Sequence, residues 1–215
     1  SQVLAVMDPT SGGPLVDRVL DKAGQKGTGK WTATVALELA VPIPTIAASI
    51  DARVLSSMKD ERTRAEALIR KNVAATIDGD AASVIADLES ALLAAKIGSY
   101  AQGLKLIAEA SRVHNWGINL REMARIWKGG CIIRAVLLDT IMRAFEKSPE
   151  LESILADPEL EKAVYEAQPD WRRTIDRAVS LGIPLPSMTA SLAYFDSYRT
   201  ARLPQNLTQA QRDAF

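Results

Sequence analysis

Leu39-Ala-Val-Pro-Ile-Pro-Thr-Ile-Ala-Ala-Ser-Ile50 recurs with conservative changes as Leu181-Gly-Ile-Pro-Leu-Pro-Ser-Met-Thr-Ala-Ser-Leu192. Proline lacks an N–H and pushes the residue before it towards extended backbone, so each Pro-x-Pro ends one helix and forces an extended turn. Thr45 or Ser187 then stands where a hydroxyl caps the next helix. Thr32 and Ala36 match Thr174 and Ala178 in the same register, which carries the likeness back into the preceding helix. The unit is helix, extended turn, helix. Two copies, about residues 32–57 and 174–199, predict a duplicated helical unit folded into one domain.

Outward from these units the pattern stays helical. Alternating strand patterns are almost absent, and the architecture expected is all-α. Gly13-Pro14 opens a short helix that Gly24 closes, and a second runs from near Thr32 to the first Pro-x-Pro. A third, long helix is expected from Thr45 to about Lys71. Ala82 to Ala110 reads as a helix with Ile85, Leu88, Leu92, Ala95 and Ile97 inward. Asn119 caps a short helix to Trp127, and Gly129-Gly130 leads into an apolar helix from Cys131 to Phe145. Ser148-Pro149 and Asp157-Pro158 each place a capping side chain before a proline at the first helical position.

Bulk composition excludes several function classes. The 215 residues are 47% hydrophobic and 24% charged, as in a globular protein with a substantial core. Lys plus Arg equals Asp plus Glu at 26 each, so no global field favours nucleic acid or an acidic membrane surface, and any anion site must be local. No apolar run approaches the roughly 18–20 residues that span a bilayer, since Pro42 and Pro44 break the longest candidate. A single cysteine, Cys131, excludes an intrachain disulfide, fits a reducing compartment and reads as a small buried hydrophobe. No secretory signal opens the chain, and its start without Met leads us to expect a fragment of a cytoplasmic protein.

The chemistry concentrates in Gly24-Gln-Lys-Gly-Thr-Gly-Lys-Trp-Thr32, where two lysines and a threonine hydroxyl stand among three glycines. Backbone and side chains of such a turn can close around an anion. The spacing nearly matches a nucleotide-binding Walker loop, but Trp31 stands where that loop needs a magnesium-binding hydroxyl. Upstream, Leu15, Val16, Val19 and Leu20 have helical spacing where a strand is required, so an ATPase is rejected. From the residues alone two readings stand, an anion site or a helix end with solvated lysines. His114 has no partner at metal-ligand spacing. Lys59-Asp60-Glu61-Arg62 reads as a solvated helix face, and Asp78 and Asp80 lack a partner base.

Four ordered segments carry a resemblance. They are Gln25-Lys-Gly-Thr-Gly-Lys-Trp-Thr32, Ala52-Arg-Val-Leu-Ser-Ser-Met-Lys-Asp-Glu-Arg62, Ile126-Trp-Lys-Gly-Gly-Cys-Ile-Ile-Arg134 and Gln209-Ala-Gln-Arg-Asp213. Together they resemble the C-terminal domain of 6-phosphogluconate dehydrogenase over essentially the whole chain. The resemblance implies an all-helical, internally duplicated domain over residues 1–215, with a tail at 202–215 and no Rossmann domain in this chain. It implies that Lys26, Thr28 and Arg53 contact the substrate phosphate and that Arg212 reaches the neighbouring subunit's site. Lys30 is expected to be structural or only electrostatic, and Trp127 to Cys131 structural.

The implied enzyme is a homodimer that oxidises 6-phosphogluconate with NADP and decarboxylates the product to ribulose 5-phosphate in the pentose phosphate pathway. Its lysine base, glutamate acid and dinucleotide-binding glycines belong to an upstream segment, so no catalytic or cofactor-binding residue and no metal is expected here. The family continues past Asp213 into a Gly-Ala-His segment, whereas this chain ends at Phe215 with Ala214 in place of an aromatic residue. The polypeptide by itself is therefore expected to be inactive.

The internal repeat separates scaffold from site. Pro42 and Pro44 recur as Pro184 and Pro186, but Arg53 corresponds to Phe195, Lys26 to Gln168 and Thr28 to Asp170. Positions the scaffold needs recur, and the implied ligand positions differ. Two other readings compete. A non-catalytic helical dimerisation module descended from the enzyme would not need Lys26, Thr28, Arg53 and Arg212. A related β-hydroxyacid dehydrogenase would have a shorter helical domain without the Lys-Gly-Thr-Gly-Lys turn.

Overall fold

The structure is a computed structural model that describes residues 2–24, 26–70, 73, 76–77, 79–131, 133 and 135–215. Among the described residues the helices are α1 (Thr28–Glu38), α2 (Pro44–Ser57), α3 (Lys59–Leu68), α4 (Ala81–His114), α5 (Leu120–Trp127), α6 (Leu137–Lys147), α7 (Pro158–Ser180), α8 (Pro186–Tyr198) and α9 (Gln205–Asp213). The one β-type pairing among them is an isolated bridge, Met7 to Pro14. The chain is all-α. Asp78, and with it one of the two turn carboxylates, lies outside the described residues, as do Gln25, Ile132 and Arg134 of the quoted segments.

The core forms where α4 lies along α7, with α6 and α8 closing its sides. The inner face of α4 is built of small residues, Ala91, Ala94 and Ala101, so the large side chains of its neighbours can approach closely. Trp171, Leu160 and Val164 of α7 fill that space, with Leu138 and Ile141 of α6. Asp87 is the buried charge on α4. Arg173 and Arg177 of α7 both donate to its carboxylate and hold the acid down at about 2.

Both Pro-x-Pro turns have the same backbone. Val41 N–H donates to Ala36 C=O and Ile183 N–H to Ala178 C=O, each at 2.8 Å. Ala40 N–H and Gly182 N–H close the inner bond of the same helix-ending motif, and both residues are left-handed, with φ of 54° and 66°. Ile43 and Leu185 take matching dihedrals before prolines at the first helical position. The helices that follow, α2 and α8, pack against each other.

Several expected details are corrected. Thr45 does not cap α2 with its side chain. Instead Gln102, fully buried on α4, accepts from Thr45 N–H at 3.0 Å and donates to its hydroxyl at 2.7 Å. The long helix from Thr45 breaks at Met58, whose ψ of 44° turns the chain between α2 and α3. Residues 13–24 hold only one 3-10 turn, Leu15–Arg18, because the segment is drawn out along α2 and α3. Ser148-Pro149 starts no helix, whereas Asp157 caps α7 and Asn119 caps α5 as expected. On α4, Ala95 and Ile97 face inward, but Ile85, Leu88 and Leu92 are exposed. Helical period identifies an apolar stripe without saying whether its own chain covers it.

Candidate anion-binding site

The glycine-rich turn becomes the open N-terminus of α1. Gly27 precedes the helix at φ 100°, a conformation that L side chains rarely adopt, and no side chain caps the first turn. The first N–H groups of a helix have no partner within it and carry partial positive charge. No acidic residue stands in this first turn. Lys26, Thr28 and Lys30 are all exposed around it.

Two contacts bring this turn to α2. A Cβ at Gly29 would lie 3.2 Å from Ile50 Cγ1, so the absence of a side chain lets α1 sit directly on α2. Upstream, Ala23 N–H donates to Ser56 Oγ at 3.0 Å, and that hydroxyl donates to Arg53 C=O at 2.8 Å. Ile50, Arg53 and Ser56 follow one another at three-residue intervals along one side of α2. Ala23 and Gly29, on either side of Lys26 and Thr28, therefore both meet the side of α2 that carries Arg53. Lys26, Lys30 and Arg53 carry no ion pair among the described residues. Three cations and the unpaired N–H groups of a helix end suit a dianionic group such as a phosphate, which a guanidinium grips with two parallel hydrogen bonds.

Arg212 stands apart. It lies exposed on α9, which has no buried residue and leaves Leu207 63% exposed. Of the other candidates, His114 stacks on Trp116 with ring centroids 4.7 Å apart, and Cys131 donates its thiol to Trp127 C=O. Among the described residues no group of three or more His, Cys, Asp and Glu is placed to hold a metal ion, and no helix is long and apolar enough to cross a membrane.

A cluster that sequence reasoning missed adjoins the turn. Asp21 is held by Lys59 Nζ at 2.6 Å and by both terminal nitrogens of Arg62. Together they bring its carboxyl down to about 2, so it is ionised at any working pH. The sequence pattern places Lys59 and Arg62 in a solvated charge run, and their shared i, i+3 side is the one signal it offers. Nothing in the local pattern pointed to Asp21.

The whole chain, residues 1–215, matches the family described as 6-phosphogluconate dehydrogenase, C-terminal domain. The chain belongs to that family. It is 51% identical to the chloroplastic "6-phosphogluconate dehydrogenase, decarboxylating 1" of Arabidopsis thaliana, with all of this chain and 45% of that protein covered. Identity to "6-phosphogluconate dehydrogenase, decarboxylating" of Synechococcus elongatus is 52%, over 98% of this chain and 45% of the relative. The fold is similar to the Plasmodium falciparum 6-phosphogluconate dehydrogenase, solved in its apo form and in complexes with its cofactor NADP+ and its substrate 6-phosphogluconate. There the TM-score is 0.91 at 44% identity, with 99% of this chain and 46% of that one covered. The chain thus spans a little under half the length of the 6-phosphogluconate dehydrogenases it matches.

Proposed function

We propose that this 6-phosphogluconate dehydrogenase domain holds the phosphate end of 6-phosphogluconate and builds a homodimer. The observation that carries the reading is that Ala23 and Gly29, on either side of Lys26 and Thr28, both contact the side of α2 that carries Arg53, next to an uncapped helix N-terminus, with Lys26, Lys30 and Arg53 in no ion pair among the described residues. Lys26 and Arg53 neutralise the phosphate, and Thr28 adds a hydroxyl and a first-turn N–H. Arg212 acts on the partner subunit's site. An α9 that buries nothing against its own chain supports that role.

The activity proposed for the complete enzyme is NADP-dependent oxidation of 6-phosphogluconate and decarboxylation to ribulose 5-phosphate, a step of the pentose phosphate pathway. No dinucleotide site is assigned to this chain: its described residues include no parallel strand, and the sequence has no Gly-x-Gly-x-x-Gly fingerprint. This chain's part is then to bind and orient. A phosphate gripped at one end fixes the sugar acid so that its reacting carbons meet groups on another domain. The cytoplasm is the compartment proposed, which the lone, reduced Cys131 supports.

Homodimerisation is supported by apolar surface that the chain leaves uncovered. Ile85, Leu88 and Leu92 form an exposed stripe on α4. Surfaces of this kind fit an obligate interface of more than roughly 2,000 Å². Sedimentation of the complete enzyme should give a dimer at micromolar concentration, and a monomer would overturn this part of the proposal.

In the complete enzyme, Lys26→Ala, Arg53→Ala and Arg212→Ala should each raise KM for 6-phosphogluconate roughly ten- to a hundredfold, the scale of a charge-assisted contact. Turnover should fall less, because a phosphate remote from the reacting carbon is held alike in ground and transition states. KM for NADP should stay nearly unchanged. If Arg53→Ala left the sugar-acid KM unchanged, or weakened NADP instead, the phosphate role of Arg53 would be wrong.

A further inference from the structure

The segment that delivers Lys26 and Thr28 has no helix or strand among its described residues, 20–24 and 26. A free segment would sample many conformations, and binding would carry the cost of ordering it. Here it is fastened at two points. Arg62 Nη2 donates to Asp21 C=O at 3.1 Å and to Ser56 C=O at 3.0 Å, joining the segment to the last turn of α2. Lys59 and Arg62 grip the Asp21 carboxylate from two sides. Two residues further on, Ser56 Oγ links Ala23 N–H to Arg53 C=O.

The helix break explains the geometry. Had α2 continued through Met58, Lys59 and Arg62 would follow its axis. The turn at Met58 starts α3 at Lys59 and swings both cations across Asp21. Arg62 is held this way although its Nε is buried without a partner among the described residues.

We propose that Asp21, Ser56, Lys59 and Arg62 form a latch that positions the Lys26–Thr28 turn beside Arg53 and so sets affinity for the phosphate end of the substrate. The inference rests on the phosphate site proposed above. The four are positioning residues, since each acts through the segment. Their side chains are partly exposed, with Asp21 56% and Arg62 32% accessible. Exposed ion pairs contribute little to global stability, so the loss of the latch is felt in the local order of the turn.

The test measures both KM values, kcat and Tm of the complete enzyme carrying Asp21→Asn, Arg62→Gln, Arg62→Lys or Arg53→Ala. Asp21→Asn and Arg62→Gln should raise KM for 6-phosphogluconate about three- to tenfold, the scale of a small ion-pair network. Turnover, KM for NADP and Tm should stay close to wild type. Arg62→Lys, which keeps the charge on Asp21 but loses the fork to the two carbonyls, should fall between. Combined with Arg53→Ala, the effects should be less than multiplicative, because latch and arginine act on the same contact. If Arg53→Ala raises KM while Asp21→Asn and Arg62→Gln do not, the latch is overturned and the phosphate site stands. If Arg53→Ala itself has no effect, the site falls and the latch with it. Equal worsening of both KM values, or a lower Tm as the sole change, would mark a structural brace and overturn the latch. Should Arg62→Gln fail to fold, Asp21→Asn and Ser56→Ala are decided by the same readings.

Discussion

Residues 28–57 and 170–199 share a turn and a pair of helices, yet one end differs. In the second copy the helix before the turn, α7, runs from Pro158 straight through Pro169. In the first, the helix begins at Thr28, and Gly27 stands where Pro169 would be. Shortening the helix exposes an N-terminus that the longer copy keeps inside. The side chains follow the same division. Gly29 corresponds to Trp171, the largest fully buried residue. Thr28 corresponds to Asp170, whose carboxylate is taken by Arg173. Arg53 stands free, whereas Phe195 packs on Trp171 at 6.2 Å with Arg199 over its ring at 5.1 Å. One scaffold serves as core pillar in one copy and presents an exposed helix end with lysines in the other.

The comparison breaks first at Trp171. If the second copy is the pillar, Trp171→Ala should cost about 3–5 kcal/mol in urea unfolding followed by circular dichroism, the range for large aromatic deletions in a core. A loss below about 1 kcal/mol, the range of surface substitutions, would mean that burial in this copy is not what distinguishes it. Writing the first copy's arginine into the second is the next test. Phe195→Arg should create no phosphate site, since no uncapped helix end or lysine pair stands near it. In an Arg53→Ala background it should leave the raised KM for 6-phosphogluconate unrepaired, while destabilising the fold by about 1–3 kcal/mol. Recovery of affinity would show that a guanidinium on this helix is sufficient and that the first copy's turn is not needed.

What the sequence revealed depended on the distance over which each feature is decided. The Pro-x-Pro turns, the Asn119 and Asp157 caps and the glycines around Lys26 act within a few residues, and each was legible. Gln102 reaches Thr45 from α4, and Arg62 reaches Asp21 from α3. Neither pairing leaves a periodic trace, so local pattern points to Thr45 as the cap on α2 and to a solvated face for the charge run. The break at Met58 carries no Gly or Pro, and it pays off only through the ion pairs it makes possible. Ile85, Leu88 and Leu92 formed a legible stripe whose direction was not legible, because periodicity describes one helix and burial involves its neighbours. The phosphate roles proposed for Lys26, Thr28, Arg53 and Arg212 rest on resemblance rather than on the residues alone.

The two turns themselves allow finer tests. Gly182 is left-handed, and a Cβ there would stand 2.8 Å from Val73 Cγ1. Gly182→Ala should therefore lower stability by about 1–2 kcal/mol from backbone strain, with further loss from the crowding. The first copy already tolerates alanine at the matching position, Ala40, so the variant should fold. A neutral result would mean that the second turn relaxes out of the shared geometry.

The smallest effect is expected for the reverse change, Ala40→Gly. Ala40 is exposed and has φ 54°, so its methyl group contributes little packing while straining the backbone. The helix-ending motif needs this left-handed residue to let Val41 N–H reach Ala36 C=O, and glycine meets that need without strain. Part of the gain is offset, because glycine also gives the unfolded chain more freedom to lose. The net should be a stabilisation of about 0.5–1 kcal/mol. For a chain of this size that is a Tm rise of about 1–4 °C. KM for 6-phosphogluconate should not change, since the turn lies at the far end of α1 from Lys26 and Thr28. A fall in Tm would show that the alanine is held by contacts the second copy lacks, and that the two turns are alike in shape but not in energy.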